Sequence, residues 1–387
     1  QLMMAHWPTS ATGLNVAYDA STSTDPIDPI PPLLTGTTYY VDGASGSDGN
    51  NGSSGAPWLT LMHSTRQLRA ADTLIVRQGT GLYQENLFVS SDIAPAHASG
   101  DARNPITVKA DVGANVVLKP FICTSGGNSP TDCAALRVGG GSIRDWVFKG
   151  LILGGILGST TGARISNGNN IILQNIQDDQ SLGTSHQSVI SVGGGDGIRI
   201  LGSTFDRPVI DQVTLVGSHA GTMILQNDFS AWGSHAIQMN GDGRRPAVIA
   251  DNVIHNGPGG GDGAVFVYLG SGGTLVYRNL IRNIAGNGIG LQRGGQVTIE
   301  NNTFYLMTGV GIGFYRRTGF SIIRNNILAS CDLGGVAFND YAMPGVASND
   351  TVLDFNLFHD TGSSDYSILN PNWLNHAPTG NCSGCDP

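Results

Sequence analysis

The sequence predicts an all-β chain wound as a single-stranded parallel β-helix, and three observations point there. An asparagine recurs between two short apolar runs: LQNDF at Asn227, ADNVI at Asn252, YRNLI at Asn279, ENNTF at Asn302, RNNIL at Asn326 and DFNLF at Asn356. Its gaps are 25, 27, 23, 24 and 30 residues, and a fixed period of that size signals stacked repeats rather than one globular core. Asn175 in LQNI, Ser203 in ILGSTF and Gly150 in FKGLI continue the series backwards. Finally, 56 of the 387 residues are glycine without a triplet period, which excludes collagen, and only 13% are charged. A solenoid of this length grows without splitting, because each coil contacts only its neighbours.

Each repeat reads strand, Asn, strand, then a Gly-rich stretch. Asn tolerates the left-handed backbone region, so each one is expected to turn the chain between two strands. Stacked coil on coil, the side chains would form an amide ladder. They are therefore read as structural. At about 25 residues per coil, residues 72–370 make roughly eleven coils.

Residues 1–36 differ from the rest. TSTDPIDPIPP at 22–32 is a Pro-rich spacer. Upstream, Leu14, Val16 and Tyr18 alternate with smaller or polar residues, a strand pattern with no partner inside the extension. This segment is expected to add to a neighbouring copy of the same chain. From Tyr39 the pattern becomes strand, polar loop, then a helix over roughly 58–70 burying Trp58, Leu61 and Leu68 to cap the solenoid. Residues 37–375 are assigned to the helix of strands and 376–387 to a C-terminal tail.

YYVDGASGSDGNNG, then PW, then the helix, then ADTLIVRQGTGLYQEN, resembles the opening of secreted right-handed β-helix proteins of the pectate-lyase-like superfamily. The resemblance covers residues 38–360. It implies a right-handed helix and a choice among polysaccharide lyases, glycosidases, epimerases and non-catalytic surface proteins. In related lyases a Lys or Arg takes the proton, and calcium held by clustered Asp neutralises the carboxylate. The three lysines, Lys109, Lys119 and Lys149, all precede Gly150, and none is accompanied by an Asp-Asp pair. Asp178 and Asp179 form the only such pair, in a segment read as a loop. The paired carboxylates and Gly-His-Gly of the glycosidases and the Asp-Pro-His of alginate epimerases are absent.

Aligning the coils on the asparagines gives one column of strand ends: Asn240–Arg245, Tyr268, Gln292–Arg293, Tyr315–Arg317 and Asn339–Tyr341. Aromatic rings beside Arg suit a sugar face, because the ring covers the apolar side of a pyranose and the guanidinium pairs with hydroxyls or carboxylates. Tyr268, Arg293, Tyr315, Arg316, Arg317 and Tyr341 are the candidate glycan contacts. In a catalytic version Arg293 or Arg316 is the base and Tyr315 the proton donor. A second column holds His186, Asp211, His235 and Asp262. His186 and His235 stand two coils apart, about 10 Å, too far to share one metal, so solvated polar residues are expected there.

No metal site or firm cofactor is expected. Calcium at Asp42, Asp48 and Asn50 competes with plain Asx turns. Cys123 with Cys133, and Cys382 with Cys385, are read as local disulfides with Cys331 left over, which favours a secreted or cell-surface protein. A net charge of −9 argues against nucleic acid, and no apolar run reaches a membrane-spanning length. These observations lean to a structural, self-assembling surface subunit with a glycan-binding face. The alternative is a secreted polysaccharide lyase or glycoside hydrolase.

Overall fold

The computed structural model describes residues 33–368, without 93, 95, 121–133, 141, 156–160, 180–187, 218–219, 242–246, 259–262, 269–272, 293–295, 316–320, 339–350 and 363–365. The chain divides into two compact units, residues 1–32 and 33–387, and only the second is described. Among these residues the strands form three parallel sheets of 12, 11 and 11 strands. One coil shows the plan: Met223–Leu225 in the first sheet, Asp228–Ser230 in the second, His235–Asn240 in the third. The next coil lies directly on it, with Met223 opposite Val248, Asp228 opposite Val253 and Ile237 opposite Val265. Eleven such coils follow the Thr38–Val41 strand, which extends the first sheet by one. The predicted right-handed parallel β-helix is the fold.

Alternation along each short strand sends one set of side chains inward, and parallel register stacks like on like. Phe205, Phe229, Ile254, Ile281, Phe304 and Leu328 form one such inward column, each 0% exposed. Each contributes about 1.5–3 kcal/mol by burial. The helix spans Leu61–Gln67, shorter than the sequence suggests, and buries Leu61 beside Trp58 and Leu68. Thr60 caps it by accepting from His63, and the Glu85 carboxylate accepts from the N–H groups of Leu61 and Met62. No helix among the described residues is long and apolar enough to cross a membrane.

The amide ladder exists, at the corner between the first and second sheets. The Nδ2 of Asn252 donates to the Oδ1 of Asn279 (2.9 Å) and to the Ile224 carbonyl one coil back (2.9 Å). Its backbone N–H donates to the same Oδ1 (3.0 Å), and Asn227, Asn279, Asn302 and Asn326 repeat the pattern. Two expectations need correction. The left-handed backbone belongs to the residue before each ladder asparagine: Gln226, Asp251, Arg278, Asn301, Asn325 and Phe355, with φ of 51° to 58°. And Asn175 (φ 52°), like Gly150 and Gly202, belongs to that preceding column, so Ile176 holds the ladder position and its N–H donates to Ser203 Oγ. Turning the chain and filling the ladder are separate tasks for adjacent residues.

Candidate functional site

The outer face of the third sheet gathers the side chains that chemistry could use. Its strands begin straight after a corner, so strand-start residues of successive coils fall in register. Asp211, first residue of Asp211–Val216, pairs with His235, first residue of His235–Asn240. Their side chains meet, with His235 Nδ1 2.8 Å from Asp211 Oδ1. Both residues are buried, 7% and 5% exposed, so the solvated reading of this column is overturned for them. One coil spacing of about 4.8 Å is short enough for an imidazole to reach a carboxylate, and the surrounding rings exclude water. His186 and Asp262 lie outside the described residues.

The imidazole stacks on Phe266 (5.0 Å between centroids, 11° between planes), and Phe266 in turn stacks on Tyr268 (5.8 Å, 22°). Phe266 is buried and Tyr268 half-buried, so Tyr268 is the outer end of a three-ring series. Two polar atoms on the His235–Asn240 strand are buried with no hydrogen-bond partner: His235 Nε2 and Asn240 Oδ1. An unpaired buried polar group costs about 1–3 kcal/mol, and native proteins keep few of them.

The predicted ledge column is assembled as far as it is described. Asn240, Tyr268 and Gln292 are register partners, and the Tyr315 N–H donates to the Leu291 carbonyl on the coil of Gln292. The Tyr315 phenol folds back over Gly313, where a Cβ would sit 3.2 Å from its oxygen, and takes a hydrogen bond from Asn287 Nδ2. Arg137 and Arg164 are register partners on earlier coils of the same face. Arg293, Arg316, Arg317 and Tyr341 lie outside the described residues, as do Leu14, Val16, Tyr18 and the cysteines expected to pair, Cys123, Cys133, Cys382 and Cys385. Cys331 is a buried free thiol whose pKa burial pushes up to about 12.

A second cluster, on the second sheet, escaped the sequence reading. Gln177–Asp178 is a strand, not a loop. Stacking places Lys119 two coils from Asp179, and Nζ reaches Oδ2 at 2.9 Å, so a lysine does meet the Asp-Asp pair. Asp178 stands in the inward column next to Phe205, and its carboxylate accepts the N–H groups of Asp206 and Arg207. Burial pushes its pKa up; those N–H donors oppose the shift and the Asp206 charge adds to it. Contacts across two coils leave no local motif. The available signal was the coil period itself, counted from Lys119 to Asp179.

A further Asp–His pair lies on the same sheet: His255 Nε2 is 2.9 Å from Asp228 Oδ1, with the Asp228 side chain 48% exposed. In the polar loop, Asp42 accepts from Ala44 and Ser45, Asp48 from Leu59 and Thr60, and Asn50 donates to the Pro57 carbonyl, an Asx-type network. Among the described residues no three His, Cys, Asp or Glu side chains converge as metal ligands would.

The family described as the right handed beta helix region matches residues 188–351. None of the curated proteins matches. Among solved structures, the chain is similar to a mannuronic acid specific polysaccharide family 6 lyase from human gut microbiota, at 13% identity and TM-score 0.59 over 89% of this chain and 84% of that one. It is also similar to the family 6 polysaccharide lyase Pedsa3628 from Pseudopedobacter saltans, at 15% identity and TM-score 0.55 over 77% and 73%. A GH136 lacto-N-biosidase from Eubacterium ramulus aligns at 13% identity and TM-score 0.53 over 86% and 67%. At these identities the likeness is one of fold, a right-handed β-helix.

Proposed function

We propose that this protein is an extracellular polysaccharide lyase that binds its substrate along the outer face of the third sheet and cleaves it by β-elimination. The observation that carries the reading is the ring series ending at Tyr268, in one column with Gln292 and next to Tyr315. Tyr268 and Tyr315, half-exposed and two coils apart, present rings to the apolar faces of sugars, and Gln292 on the coil between them offers hydrogen bonds. Arg137 and Arg164 bring guanidinium groups to the same face, suited to acidic sugars in a chain whose net charge is otherwise −9. Likeness to two lyases over three quarters or more of this chain supports the enzyme reading above the self-assembling subunit. The latter rests on Leu14, Val16 and Tyr18, outside the described residues.

The test is incubation with a panel of uronate-containing and neutral polysaccharides, following both ultraviolet absorbance of unsaturated ends and new reducing ends. Absorbance rising with reducing ends is the expected result. Reducing ends without absorbance would mean hydrolysis, and neither signal on any polymer would end the enzyme reading. Tyr268→Ala should raise KM several-fold, because it removes platform rather than chemistry.

A further inference from the structure

We infer that the corner between the second and third sheets carries a second binding groove, for a strand of neutral glycan, separate from the face proposed for cleavage. The groove has a volume of about 470 Å³ and crosses four successive coils. Three coil spacings give it a length of about 14 Å. One wall is a left-handed column, Asn256, Asn283, Leu306 and Ser330, with φ of 52° to 58°. The facing wall holds Ala285, Thr308 and Asp332, each two residues further along its coil and exposed. Between the walls lie the buried Gly257, Ile284 and Met307. The floor stays low at one end because Gly257 rests on the buried Trp232, where a Cβ would come within 1.9 Å of the indole.

The lining selects the ligand. Asn283 Nδ2 donates to Asn256 Oδ1, which leaves an Asn256 donor and an Asn283 acceptor side by side on the exposed wall. Two neighbouring sugar hydroxyls, one accepting and one donating, match them. Thr308 and Ser330 add hydroxyls, and the 46% exposed Leu306 offers apolar contact to the C–H faces of a sugar. Among the described lining residues Asp332 alone is charged, and the chain carries −9, so a polyuronate is repelled here, unlike at the face of Arg137 and Arg164. A peptide strand finds no backbone edge to pair with. The N–H groups of Ala285, Thr308 and Asp332 already donate to the Gly257, Ile284 and Met307 carbonyls of the preceding coils. Tyr268 and Gln292 end the third-sheet strands that start beyond this corner, so the two surfaces are separated by the width of that sheet.

Isothermal titration calorimetry with neutral gluco-, manno- and xylo-oligosaccharides and with oligouronates tests this on the full chain. The variants are Ala285→Trp, which fills the groove from an exposed position, and Asn283→Gly, which removes the amide pair while glycine accepts φ 53°. Tyr268→Ala marks the third-sheet face. Thermal unfolding establishes that each folds, and either groove variant carries the comparison if the other does not. Wild type and Tyr268→Ala should both bind a neutral oligosaccharide, with the binding lost in Ala285→Trp and weakened in Asn283→Gly. If wild type binds no neutral oligosaccharide, or the folded groove variants bind it as well as wild type does, the inference is wrong. Binding lost in Tyr268→Ala but kept in Ala285→Trp would move the neutral glycan to the third sheet, and groove-dependent binding of oligouronates alone would overturn the ligand class. None of these readouts needs cleavage, so the groove and the lyase reading fail independently.

Discussion

Two buried polar stacks run up this molecule, and they end differently. In the ladder between the first and second sheets, every amide from Asn227 to Asn326 gives both its protons, and each from Asn252 onward receives two, with each residue 1–2% exposed. On the third sheet, the Asp211–His235 pair is nearly as buried but closes only half its hydrogen bonds. A ladder with no open valence stabilises and does nothing else. A buried pair with one unpartnered nitrogen instead carries the cost of that gap, about 1–3 kcal/mol. The Asp228–His255 pair lies between them: Asp228 is half exposed, yet His255 Nδ1 is buried and likewise unpartnered.

The sharpest way to break this contrast is functional. Tyr268→Ala, at the outer end of the third sheet's rings, should raise KM several-fold on the polymer that is cleaved while Asn302→Gly, in the ladder, leaves KM unchanged, and equal shifts in lyase assays would erase the distinction. Next in size, Asn302→Leu should destabilise by about 1–3 kcal/mol in denaturant unfolding, since it strands the Asn326 amide and the Asn279 N–H. Asn302→Gly should cost nearly as much, because its backbone needs no glycine; a loss well below that of the leucine variant would revive the turn role.

Proton linkage gives smaller effects of opposite sign. Burial, opposed by a hydrogen bond with Ser90, holds the His97 imidazole at about 4. The unfolded chain therefore takes up that proton first, and stability should fall as pH drops from about 6.5 to about 4. For Asp178, raised by burial, the folded chain keeps a proton the unfolded chain has lost. Its contribution should fall as pH rises above about 4 through the raised value. Thermal unfolding against pH should lose the first slope in His97→Gln and the second in Asp178→Asn. Smallest of all, Asn301→Gly should stay within about 0.5 kcal/mol of wild type, while Asn301→Val should cost more at φ 58°.

Much of the ladder was legible because its period is written in one residue type. The slip at Asn175 shows the limit. Asn227 lies two residues before the inward Phe229, whereas Asn175 lies three before the inward Asp178. Only counting to the core position separates the two roles, and an aspartate in a core column disguises the count. The Asp211–His235 pair was visible as a column but misjudged, since a residue's burial depends on what stands beside it on other coils.

The sequence by itself determined the winding, the coil length and the ladder, because a repeat contacts only its neighbours and local pattern therefore fixes global form. It also placed Tyr268, Gln292 and Tyr315 on one edge. Only the tertiary structure decided which polar groups are closed and which are open. Lys119 finds Asp179, and His235 finds Asp211 and Phe266, across gaps of 60, 24 and 31 residues. Register and ring orientation settle those meetings, and neither is a property of the local sequence.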